Sequence, residues 1–123
     1  MSVKGPSELS EQVVVVRELR RAGLLYCAVP NGGRRDRREA YMLKASGVVS
    51  GVPDLLIFEP TPDGQHVGTA LEMKREGGRM SNLSKAQRGW LEALSSRGWL
   101  VLVGFGAKDA LEKLRAAGYE VRP

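Results

Sequence analysis

Cysteine is almost absent from this chain: Cys27 is alone among 123 residues. A single thiol excludes an internal disulfide and any metal site built on several thiolates. With no partner histidine in prospect it is no candidate nucleophile either, and reads as a buried strand residue. Histidine is equally scarce. His66 stands alone in a turn region, outside any metal-ligand spacing, and takes no role. No run of about 18 apolar residues occurs, so no membrane-spanning helix is expected. The opening MSVKGPSELSEQ lacks the apolar core of a signal peptide. Internal repeats, low-complexity tracts and interdomain linkers are all missing. These absences lead to one domain over residues 1–123, suited to a reducing, cytoplasmic compartment.

What is present is a core and an excess of positive charge. Apolar residues make up 42%, enough to bury a real interior. Nineteen Lys and Arg against fourteen Asp and Glu leave a net charge of +5, which favours anionic partners, nucleic acid first among them. The basic residues cluster. GGRRDRRE carries Arg34, Arg35, Arg37 and Arg38, and KREGGRMSNLSK carries Lys74, Arg75, Arg79 and Lys85. Both stretches read as glycine-containing loops, where phosphate contacts are often made. Asn31, Gly32 and Gly33 form a turn that could let backbone approach a duplex, and Lys44 is a weaker candidate cation.

Along the chain, Ser7 or Ser10 caps a first helix with Glu8 and Glu11 near its positive end; it runs to about Ala22 and stops at Gly23. Four consecutive valines, 13 to 16, have poor helix propensity. Leu9, Val13, Val16, Leu19 and Arg20 nevertheless follow helical spacing. LLYCAV, 24–29, reads as a strand ended by PNGG. Residues 34 to 47 are polar and basic, with a short helix near REAYMLKAS. PDLLIFEP, 53–60, and VGTALEMK, 67–74, form a hairpin turned by TPDG. Ser81 or Asn82 opens a helix whose apolar face is Leu83, Ala86, Trp90, Leu91 and Leu94. WLVLVGF, 99–105, is apolar throughout and reads as a central strand, and AKDALEKLRAAG as a closing amphipathic helix. Trp90 and Trp99 suit the core or a dimer interface better than base stacking. The fold class is α/β: a central mixed sheet flanked by helices, in αβββαβ order.

One constellation carries chemistry. In ALEMK, residues 70–74, Glu72 and Lys74 are two apart and therefore share a strand face. Asp54 opens the neighbouring strand of the same hairpin. Two carboxylates and an ammonium thus converge at one end of the sheet. Hard oxygen ligands of this kind suit Mg²⁺ or Mn²⁺, which can hold substrate phosphate in open coordination positions. The alternative is a surface ion pair on an edge strand, contributing about 0–1 kcal/mol.

GVPDLLIF followed by ALEMK resembles the PD-(D/E)xK nuclease superfamily, with Pro53, Asp54, Glu72 and Lys74 at the signature positions. SELSEQ, VPNGG, SGVPDLLI, LEMK and LSKAQRGWLEAL, in that order, resemble more closely the small stand-alone VRR-Nuc family of phages and bacteria. The resemblance implies a restriction-endonuclease-like core and divalent-metal-dependent endonuclease activity on DNA. It further implies a homodimer acting on branched DNA such as Holliday junctions, in a bacterial or phage-infected cell. It makes Asp54, Glu72 and the Met73 carbonyl metal ligands, with Glu8 (or Glu11) the acid from the first helix. Lys74 would position the attacking water. Gln87 would be a polar residue within reach of the site. Asn31, Arg34, Arg35, Arg37, Arg38, Arg75, Arg79 and Lys85 would hold DNA. A member that kept the fold and lost activity would be a DNA- or junction-binding module.

Overall fold

The hairpin expected around TPDG is the middle of the sheet. The computed structural model describes residues 7–30 and 36–123. Its elements are α1 (Glu8–Arg21), β1 (Tyr26–Ala28), α2 (Arg37–Ala45), β2 (Leu55–Ile57), β3 (Thr69–Lys74), α3 (Lys85–Ser95), β4 (Leu100–Phe105) and α4 (Ala107–Ala116), with a 3-10 turn at Met80–Asn82. The four strands form one sheet in the order β1-β2-β3-β4. β2 pairs antiparallel with both neighbours, with β1 across the long connection that carries α2 and with β3 across the TPDG turn. β3 and β4 are parallel, joined by the crossover through α3. The architecture is the mixed α/β sandwich that the pattern predicts.

The two faces of β3 have different fates. Leu71 and Met73 point into the main core with Leu55 and Ile57. There they meet Val15 and Leu19 of α1, Ala110, Leu111 and Leu114 of α4, and the following Tyr119 and Val121. At the edge of this core the Tyr119 hydroxyl donates to the Glu59 carbonyl at 2.8 Å, so the Thr69 hydroxyl, 2.7 Å away, is the donor to Tyr119. Ala70, Glu72 and Lys74 take the opposite face, shared with Val101, Val103 and Phe105 of β4. Leu83 and Leu91 cover Val103 there.

Several expectations change. β4 is not central; it is the last strand of the sheet. Its apolar sequence follows from helices on both sides, because α3 and α4 each pack against it. Its outer edge is closed in part by α4: Lys113 Nζ donates to the Val103 carbonyl at 2.7 Å, and Asp109 Oδ2 accepts the Phe105 N–H at 2.9 Å. β1 is only three residues long. Cys27 on it is exposed, not buried, because α3 lies over the far edge of the sheet and leaves β1 bare on that face. In α1, Ser7 is the cap. The helix buries Val15 and Leu19, while Leu9 and Val13 are exposed at 71% and 47%. Arg37 and Arg38 sit in the first turn of α2, capped by Asp36, and not in a loop. α3 begins after Ser84, later than Ser81 or Asn82. Trp90 is half-buried and lies outside both core clusters. Trp99 packs edge-on against Phe58 with ring centroids 5.9 Å apart.

Candidate active site

The site is built where β2 begins and β3 ends. Gly51 adopts φ +90, a conformation that side-chain-bearing residues rarely take. A Cβ there would also stand 2.7 Å from the Ala86 backbone, so the turn entering β2 rests directly on α3. Pro53 is fully buried. The β2–β3 register, continued by one step, sets Asp54 opposite Glu72, and by two steps sets Pro53 opposite Met73. Proline has no N–H to give the ladder. Asp54 Oδ2 accepts the Met73 N–H instead, at 2.7 Å, which anchors this carboxylate beside β3.

Glu72 is only 2% exposed. Burial is the main force raising its carboxyl, to a pKa of about 9. The adjacent Asp54 carboxyl pushes the same way, by favouring a shared proton and by repulsion. Lys74 opposes the rise and Glu8 adds to it. Glu72 Oε2 is buried and has no hydrogen-bond donor. Two ionised carboxylates cannot bond to each other, so Asp54 satisfies this oxygen only if one of the pair holds a proton. An orphaned buried carboxylate oxygen is costly unless a cation or a proton meets it.

Lys74 is half-buried and makes no ion pair with Glu72. Among the described residues the ion pairs are Glu18–Arg21 and Asp109–Lys113. The Lys74 ammonium donates to Gln87 Oε1 at 3.1 Å. The same oxygen accepts the Ser84 N–H at 2.9 Å, and Ser84 Oγ accepts the Gln87 N–H at 3.1 Å. This reciprocal pair is the N-terminal capping box of α3.

The two acids of α1 separate by what they touch. Glu11 Oε2 accepts the Ala107 N–H at 2.6 Å and so caps the N-terminus of α4. Glu8 lies close enough to Glu72 to repel it. Arg75 and Arg79 are exposed on the segment between β3 and α3, and Lys85, read in the sequence as part of that loop, is exposed as the first residue of α3. Arg37, Arg38 and Lys44 are exposed on α2. Asn31, Arg34 and Arg35, with Gly32 and Gly33, lie outside the described residues.

Among the described residues no group of three or more acidic, histidine or cysteine side chains gathers as a ready metal cage. The pair Asp54–Glu72 still suits a divalent cation of the magnesium type, which commonly takes one or two carboxylates and completes its shell with water and phosphate. The unpartnered Oε2 is the observation that fits it. Two contributors went unread in the sequence. Ser84 had a legible signal, the S-x-x-Q spacing to Gln87. Gly51 had none, because its necessity comes from α3, 35 positions later.

Taken together, the sheet, the turn into β2 and the Asp–Glu–Lys grouping define a nuclease-type α/β domain. A VRR-NUC domain model matches residues 6–107, and the chain belongs to that family. A solved structure described as a VRR_NUC domain protein superposes with a TM-score of 0.70 at 25% identity, covering 94% of this chain and 91% of that one. No curated protein matches significantly in sequence. No helix among the described residues is long and apolar enough to cross a membrane.

Proposed function

We propose that this chain is a divalent-metal-dependent DNA endonuclease with a preference for branched DNA such as four-way junctions. The observation that carries the metal is the buried, donorless Glu72 Oε2 beside Asp54. Asp54 and Glu72 would hold Mg²⁺ or Mn²⁺, with the Met73 carbonyl as a third ligand and Glu8 adding negative charge from α1. When bound, such an ion polarises a phosphoryl oxygen and lowers the pKa of a coordinated water. The chain's own groups do the rest. The Lys74 ammonium, held clear of Glu72, orients the water that attacks phosphorus and offsets charge building on the phosphate oxygens. Arg75, Arg79 and Lys85, with Arg37 and Arg38 of α2, provide phosphate contacts. Asn31, Arg34 and Arg35 belong to the same proposed surface.

A domain of this size offers little surface to a branched substrate. Two copies related by a two-fold axis would present two sites to opposed strands, so the working form is a homodimer acting in the cytoplasm. The test is cleavage of four-way-junction and duplex DNA with Mg²⁺, Mn²⁺ or EDTA. Metal-dependent cutting, faster on the junction and lost in Lys74→Ala, is the expected result. Tight, salt-sensitive, metal-independent binding without cutting of any DNA would instead make the chain a junction-binding module. A monomer mass in sedimentation at micromolar concentration would remove the dimer.

A further inference from the structure

We propose that Gln87 is a positioning residue for Lys74, locked in its working orientation by the capping box of α3; this rests on the nuclease reading of the site. A glutamine amide can point either its oxygen or its nitrogen at a neighbour. Here two donors decide. The Ser84 N–H and the Lys74 ammonium both approach the same Gln87 atom, at 2.9 and 3.1 Å. Only the carbonyl oxygen accepts from both, so Nε2 cannot take that place. Its two lone pairs serve one donor from the helix cap and one from the catalytic strand. α3 is in turn pressed against the turn entering β2, through Gly51 and Ala86.

The consequence is a division of labour around an ammonium group. Lys74 has three N–H donors. One is spent on Gln87, and none on an ion pair with Glu72. A long, four-carbon side chain with high rotamer freedom is thereby held to one direction before substrate arrives. Displacing a reacting group by about 1 Å can cost about 100-fold in rate. Gln87 therefore acts through Lys74 and not on the scissile phosphate.

Gln87→Met keeps the side chain's length and removes the acceptor, whereas Gln87→Glu keeps an acceptor for both donors. Three readouts apply to each: single-turnover cleavage at saturating enzyme, DNA affinity with Ca²⁺ in place of the active metal, and the NMR resonance of ¹³C-methylated Lys74, assigned by its loss in Lys74→Arg. The expected result for Gln87→Met is a rate lowered about 10- to 100-fold, DNA affinity unchanged, and a displaced Lys74 resonance; Gln87→Glu restores much of the rate. Weakened affinity with an intact saturating rate would make Gln87 a DNA contact and overturn the proposal. So would a Lys74 resonance that stays in place in Gln87→Met, because a residue that only caps the helix leaves Lys74 undisturbed. If the wild-type protein cuts no DNA with any metal, the nuclease reading fails, and the Lys74 resonance alone decides whether Gln87 holds it.

Discussion

The Glu72 carboxyl sits 2% exposed beside that of Asp54, with one oxygen that no donor among the described residues satisfies. With its carboxyl raised to about 9, metal-free Glu72 must take up a proton for the chain to fold at neutral pH, a cost that a neutral glutamine of the same size does not carry. In EDTA at neutral pH, Glu72→Gln should therefore melt at a higher temperature than the wild type. In Mg²⁺ the order should narrow or reverse, since only the wild type gains by binding the ion; calorimetry in the two buffers checks both halves. Lys74 is the opposite case. Its ammonium pairs with an amide and not with Glu72. Lys74→Ala should abolish cleavage while leaving the metal-free melting temperature within a few degrees of wild type, because a half-exposed amide contact contributes only about 1 kcal/mol.

At the scale of elements, the site depends on how a turn, a strand and a helix end lock together. Gly51 is where the turn entering β2 touches α3. Gly51→Ala meets both a positive φ and the Ala86 backbone, and should destabilise the fold by about 1–3 kcal/mol, read from urea unfolding. Activity should fall further than stability, since the same contact sets Asp54 against Glu72. The hairpin, α1, α3 and α4 were all legible in periodicity and caps. Three features were not. Apolar residues throughout β4 suggested a central strand, but two covering helices produce the same composition at an edge. Val13 obeyed helical spacing as well as Val15 did, and only the direction in which α1 docks chose between them. The sequence favours Glu8 over Glu11 as the helix acid and keeps both open, because both stand in the first turn of α1; the contact that occupies Glu11, the N–H of Ala107 at the start of α4, lies 96 positions away.

For the whole molecule, charge governs two measurable behaviours. If the exposed cations near the site hold phosphates, each one removed should reduce the salt dependence of DNA binding by about one unit of log–log slope. The double variant Arg75→Ala, Arg79→Ala should thus bind all DNA forms more weakly and lose about two units of slope. The second behaviour concerns the chain's closure. Glu18 Oε1 accepts the Arg122 N–H at 2.7 Å and pairs with Arg21 at 3.0 Å, tying the C-terminal segment to α1. The bond from Arg122 is the main cause of its carboxyl lying below the ordinary value of 4.5. A depressed folded-state pKa means stability that is present above the unfolded value and lost as pH falls through the folded one. The difference in urea midpoint between wild type and Glu18→Gln should be largest above about pH 5 and shrink as pH falls towards about 3.

The sequence by itself determined the elements, their order and the chemical types at the site, because periodicity, caps and turn residues act over a few positions. Asp54, Glu72 and Lys74 were legible for that reason: two of them share a strand face by alternation, and the third opens the adjoining strand of the same hairpin. The tertiary structure alone decided which groups are spent on holding the fold and which remain for chemistry. That choice turns on contacts between residues far apart in the chain, such as Glu11 with Ala107, Gly51 with Ala86 and Gln87 with Lys74. Local pattern carries no record of which distant partner reaches a polar group first.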